Sequence, residues 1–335
     1  MQFGPVPVTE AEGTVLAHSV PLTGGKRLRK GKRLDPGDQA ALKAAGLDTV
    51  IVARLESEDI DEDSAALRLA NALVPDPVRA GLRLQQVGTG RVNLLAEGPG
   101  VARISAEQVH AVNACNPAIT LATVPEWTRM EAGGMVATVK IITYALPADA
   151  LDSACAAAND ALSLCAPVLG TADLIQTTVG GKLDSAKGQR AIAARLDRLG
   201  VTLGAPCVVA HEERALAEAL AQAQGELLLI LTGSATSDSR DVAPNALRRA
   251  GGVVDHFGMP VDPGNLLFVG QLHGRPVVGL PGCARSPALN GADWVMERLI
   301  CGLDVGSAEI VRMGVGGLLK EMPSRPRPRS LNTTR

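Results

Sequence analysis

The 335 residues suffice for two domains at roughly 100–200 residues each. Apolar residues at 46% against 20% charged exclude a disordered chain. A net charge of −2 and only 2% aromatics offer neither the basic field nor the stacking platforms that nucleic acid needs, and no field for an anionic membrane.

Met1–Val20 carries Pro5, Pro7, Glu10 and Glu12, unlike the basic start and apolar middle of a secretory signal. Apolar runs such as Leu227–Leu231 are strand-sized, too short to span a bilayer, so a cytosolic chain is expected. Cys115, Cys155, Cys165, Cys207, Cys283 and Cys301 form no CxxC pair. Most are expected to be small packed hydrophobes, with Cys283 set apart by its place, and neither zinc ligands nor a disulfide framework is expected.

The first segment holds a basic stretch (Lys26, Arg27, Arg29, Lys30, Lys32, Arg33) that reads as a solvated hairpin or loop. Asp35-Pro36 predicts a helix start and Gly46 its stop. Thr49–Ala53 reads as a strand and Ser64–Leu73 as a helix. Gly88-Thr-Gly-Arg91 is a tight turn in preference to a phosphate loop. Val92–Ala96, Ile119–Val124 and Gly134–Ile142 read as strands, Ser105–Asn113 and Ala148–Leu164 as helices.

From Leu174 the pattern becomes regular. Strands are predicted at 174–179, 207–210, 227–231, 253–257, 266–269 and 276–280, and helices at 186–199, 212–223, 242–250 and 288–303. Such alternation predicts a parallel sheet. The fold class expected is a three-layer α/β/α sandwich over residues 171–305. A smaller mixed α+β region over 1–170 precedes it, and an extension over 306–335 follows, disordered after Lys320.

Two segments follow strands and enter helices, Thr232–Asp241 and Leu280–Ser286. Both are rich in glycine and hydroxyls, so backbone N–H groups and hydroxyls can meet an anion there. The same residues also suit ordinary capping loops. No lysine follows in Walker fashion and no nucleophile elbow exists.

In this setting Leu231-Thr-Gly-Ser-Ala-Thr-Ser-Asp-Ser-Arg-Asp241 resembles the TGG-x-S-x-G-x-x-D loop of the molybdopterin molybdenumtransferase family, which includes the gephyrin E domain. The stretch 252–264 is similar to that family's segment ending in PGKP, and Val277–Ser286 to its GLPGNPVS loop. Glu10–Ala17 and Arg29–Val52 resemble its N-terminal segments more loosely, and the middle of the chain resembles a subgroup fused to, or encoded near, a cofactor nucleotidyltransferase.

The resemblance implies molybdopterin or adenylylated molybdopterin as ligand, and molybdate insertion with loss of AMP, assisted by magnesium. It places Thr232, Gly233, Ser234, Thr236, Ser237, Asp238, Pro263, Gly264, Pro281, Gly282, Cys283 and Ser286 around the cofactor. Asp241 would be the catalytic acid or magnesium ligand, or alternatively a helix cap. It also implies a cytoplasmic homodimer serving a molybdenum-cofactor nucleotidyltransferase or molybdoenzyme, without nucleic acid or membrane.

The departures matter. Ser234 and Asp238 replace glycines, Asp262 and Asn265 stand where lysines are expected, and Cys283-Ala284 replaces Asn-Pro. Lys182 replaces an acidic residue and restores one cation. Two roles stay open, a transferase with an altered catalytic set and a non-catalytic carrier; a phosphoester hydrolase on the same fold is a third. Cys283 is either a reactive thiol at a helix start or a packed small residue.

Overall fold

The computed structural model describes residues 1–180 and 185–319. Lys182 and the tail after Lys320, expected to be disordered, lie outside the described residues. The chain divides into two compact units, one formed by Met1–Gly98 with Ala102–Leu164, the other by Pro99–Val101 with the chain from Cys165 onward.

In the first unit, strands Gln2–Pro7 and Val15–Leu16 flank Thr49–Arg54 in an antiparallel sheet. Helix Pro36–Ala44 starts where Asp35 accepts the Asp38 N–H, and Asp38 returns a bond to the Asp35 N–H. Val8, Leu16, Leu28, Leu34, Leu42, Val50 and Val52 form its core. All six cations of the basic stretch are exposed, and the hairpin Val20–Pro21 with Arg27–Leu28 carries the turn between them. The rest is a four-stranded antiparallel sheet of Leu82–Gly88, Arg91–Ala96, Met135–Ile141 and Ile119–Thr123, with helices Glu62–Leu73, Ala106–Cys115 and Ala148–Ala158 sharing its core.

One helix is shorter than its composition suggests. The Ala/Leu run from Ala148 ends at Ala158, and Leu162–Cys165 is a strand. Asp160 takes a left-handed φ of 55° between them, and Leu162-Ser-Leu-Cys then alternates buried and half-buried, the period of a strand. Gly88-Thr89-Gly90 is a hairpin turn with positive φ at all three residues.

The second unit is a seven-stranded sheet between two helical layers. Its elements are β1 (Thr171–Thr178), α1 (Ser185–Asp197), β2 (Thr202–Leu203), β3 (Cys207–Ala210), α2 (Glu213–Gln222), β4 (Leu227–Leu231), α3 (Val242–Arg249), β5 (Val253–Phe257), β6 (Phe268–Leu272), β7 (Arg275–Leu280), α4 (Gly291–Ile300) and α5 (Ser307–Arg312). The order is β2-β1-β4-β7-β6-β5, with β3 continuing β2 along the same edge of β1. Strands β1 to β4 and β7 are parallel.

The expected all-parallel sheet is corrected at β6, which runs antiparallel to both β5 and β7. Only His273 and Gly274 separate Leu272 from Arg275, and both take positive φ, 51° and 76°. Two residues close a hairpin of the primed type but cannot form a crossover.

Leu227–Leu231 is 0% exposed at all five positions, as befits a strand covered on both faces. Each such side chain stabilises the fold by roughly 1.5–3 kcal/mol. Ile175, Leu228, Ile230 and Val277 face α2 and α3 through Leu216, Leu220, Ala246 and Leu247. On the other face α1 lies so close that a Cβ on Gly188 would stand 2.9 Å from Leu231 and 2.3 Å from the Gln176 amide oxygen. Beyond α4, the chain returns so that Asp262 N–H bonds Gly317 O and Leu319 N–H bonds Asp262 O.

Candidate functional site

From β1 the chain crosses to β2 and β3 on one side and then returns past β1 to β4 on the other. The carboxyl ends of β1 and β4 therefore border the topological switch point, where open α/β sheets bind ligands. Register puts Gln176 beside Leu231, and Leu231 beside Leu280, so the segments after β1, β4 and β7 start side by side.

The segment after β4 is held from below by β1. Thr177, fully buried, accepts the Gly233 N–H at 2.9 Å, and its hydroxyl meets His211 Nδ1 at 2.8 Å. His211 carries no local spacing signal; only the fold reveals its place, because its partner is 34 positions away. A Cβ on Gly233 would stand 2.6 Å from Thr177 O, so only glycine lets this backbone lie on the end of β1.

Within the loop, Thr232 donates to Ser234 O, and Thr232 and Thr236 hydroxyls meet at 3.5 Å, both nearly buried. Gly233, Ser234, Ser237 and Asp238 are exposed. Asp238 accepts from Arg240 through backbone N–H and Nε, and the Arg240 side chain draws its carboxyl below the usual carboxylate range. Asp241 accepts the Ser237 N–H at 3.0 Å on one oxygen and the Val242 N–H at 2.7 Å on the other, capping α3.

After β7, Gly282–Arg285 forms a single 3-10 turn between Pro281 and Ser286. Pro281 and Ala284 are buried, whereas Gly282, Cys283 and Ser286 are exposed. The reading of Cys283 as a packed residue is corrected: Ala284 takes the buried position of the turn, and Cys283 is exposed. Ser286 Oγ accepts the Ala288 N–H.

Arg195 of α1 braces this segment. It pairs with Asp293 and donates to Ala284 O at 3.1 Å, Ser286 O at 2.7 Å and Ala288 O at 3.0 Å. Asp293 in turn accepts the Asn290 N–H that opens α4. Arg285 joins the two segments, its Nη2 donating to Thr232 O at 2.8 Å. Neither arginine was singled out in the sequence, since a bare Arg carries no spacing signal. Pro263 and Gly264 are buried against the start of α4, where Pro263 O accepts the Gly291 N–H.

Thr232, Gly233, Ser234, Thr236, Ser237, Asp238 and Asp241 thus share one loop, and Pro281, Gly282, Cys283 and Ser286 the next, tied by Arg285. Asp241 engages each oxygen with a backbone N–H, and among the described residues no three His, Cys, Asp or Glu side chains group to hold a metal.

Residues 178–299 match the family described as "Probable molybdopterin binding domain". The matched residues all lie in the α/β unit. The match opens on the last residue of β1 and closes within α4, so it contains both loops and Arg195 with its partners. Residues 5–54 match a family described as a domain of unknown function. No curated protein matches the chain. Among solved structures, the molybdopterin biosynthesis moea protein from Pyrococcus horikosii is similar at 14% identity over 90% of this chain and 75% of that chain, with a TM-score of 0.30. No helix of the described residues is long and apolar enough to cross a membrane.

Proposed function

We propose that the chain binds molybdopterin at the β1/β4 switch point and serves molybdenum-cofactor biosynthesis. The observation that carries this reading is the Thr232–Asp241 loop itself: glycine and hydroxyl residues pinned to the end of β1 by Thr177, inside the segment that matches the molybdopterin-binding family. The exposed hydroxyls of Ser234 and Ser237 offer hydrogen-bond donors to the pterin's phosphate.

Binding and delivery is the role that Asp241 favours. Its two oxygens accept the Ser237 and Val242 N–H groups, which gives the carboxylate a capping role with no catalytic demand on it. Delivery would run to a molybdenum-cofactor nucleotidyltransferase or a molybdoenzyme, with the chain acting as a homodimer. Molybdate insertion is the second reading, favoured by the place of Asp241, half-buried where the exposed loop meets α3.

One assay separates the two. The chain is mixed with adenylylated molybdopterin, magnesium and molybdate, and AMP release is followed beside binding. Saturable binding without AMP release, equal in the unaltered chain and in Asp241→Ala, establishes the carrier. AMP release that Asp241→Ala abolishes establishes the transferase. Absence of any pterin binding contradicts both.

A further inference from the structure

The arginines around the two loops differ in one respect. Arg195 has Asp293, and Arg240 has Asp238. Arg275 donates to Ala223 O and Gly225 O from the opposite end of β7. Arg285 is half-buried at the mouth of the switch point, bonded to Thr232 O through Nη2, yet no carboxylate pairs with it among the described residues. Its Nε is buried without a partner. Burial alone pulls its guanidinium below the usual arginine value, although it stays charged at neutral pH.

Withdrawing a cation from water without a counter-ion is costly. A fold tolerates such a group most readily where a ligand supplies the opposite charge. We infer that Arg285 is the residue that receives the ligand's phosphate group. The inference rests on the pterin reading for the identity of the ligand, but the anion site it describes is testable separately. A guanidinium matches phosphate oxygens with two parallel N–H bonds. Nη2 already bonds Thr232 O, the first residue of the hydroxyl-rich loop, so a phosphate at Arg285 would lie beside that loop. This places the phosphate between the two loops, with the turn Gly282–Arg285 as one wall.

The test uses the full chain, Arg285→Gln and Arg285→Lys, with three probes: inorganic phosphate, molybdopterin, and molybdopterin after phosphatase treatment. Arg285→Gln should weaken phosphate and molybdopterin by roughly 10- to 100-fold, the range for losing a charge-assisted hydrogen bond. Arg285→Lys should lose less, and the dephosphorylated pterin should bind all three proteins alike. Without ligand, the Tm of Arg285→Gln should equal or exceed that of the unaltered chain, since an unpaired buried charge is gone. Equal loss of both pterins, a lowered Tm, or unchanged molybdopterin binding in Arg285→Gln would each overturn the inference. Phosphate bound through Arg285 with no pterin bound would leave the anion site standing and overturn the pterin reading; no binding of phosphate or molybdopterin would overturn both.

Discussion

The two loops at the mouth of the sheet reach order by opposite means. Thr232–Asp241 is held locally: Thr232 bonds Ser234, Asp238 bonds Arg240, and Asp241 bonds Ser237 and Val242, with Thr177 as the anchor from outside. Pro281–Asn290 is held from a distance by Arg195, which reaches Ala284, Ser286, Ala288 and Asp293 at separations of 89 to 98 positions. The first loop keeps its exposed donors pointing outward at little cost to the core. The second depends on one buried ion pair, 6% and 5% exposed, and places the unpaired Arg285 over the first. Recognition chemistry and structural bracing are thus divided between two arginines on neighbouring segments.

That division can be broken most severely at Arg195. Arg195→Met leaves Asp293 buried without its cation and strips three loop carbonyls of a donor, so stability should fall by about 3–5 kcal/mol in urea unfolding. A fall under about 1 kcal/mol would show that the second loop does not need its brace.

Effects at the anchor of the first loop should be smaller. Gly233→Ala puts a methyl group 2.6 Å from Thr177 O, and the loop must shift, at roughly 1–3 kcal/mol, with pterin affinity falling alongside. Thr177→Val keeps the shape but removes the acceptor of the Gly233 N–H, costing about 1–3 kcal/mol. Unchanged unfolding midpoints in both would remove β1 as the anchor. Asp241→Ala should be mildest, near ~1 kcal/mol for a lost cap, with Asp241→Asn retaining part of it. A much larger loss in thermal unfolding would mean that the loop depends on Asp241 beyond its cap.

The legible parts of this molecule are those with short-range signals. Leu227–Leu231 announced a doubly covered strand, Asp35-Pro36 a helix start, and glycine with hydroxyls after β4 an irregular strand–helix loop; each depends on neighbours within a few residues. What stayed hidden depends on long-range pairing. Arg195 and Asp293, or Thr177 and His211, have no mark in the sequence because their meaning arises only when the sheet brings them together. His273-Gly274 is a local signal that competes with a longer-range one: alternation of strands and helices suggests parallel pairing, while a two-residue turn requires a hairpin. The end of the helix at Ala158 shows tertiary strand pairing overriding the helical preference of an Ala/Leu run.

The central claim is that a phosphorylated pterin sits between the loops after β4 and β7. Amide hydrogen exchange of the full chain with and without molybdopterin tests it most directly. The account predicts slowed exchange at residues 232–241 and 281–286, with the sheet interior unchanged. Saturable binding that leaves both loops exchanging as before, and protects another surface, would contradict it.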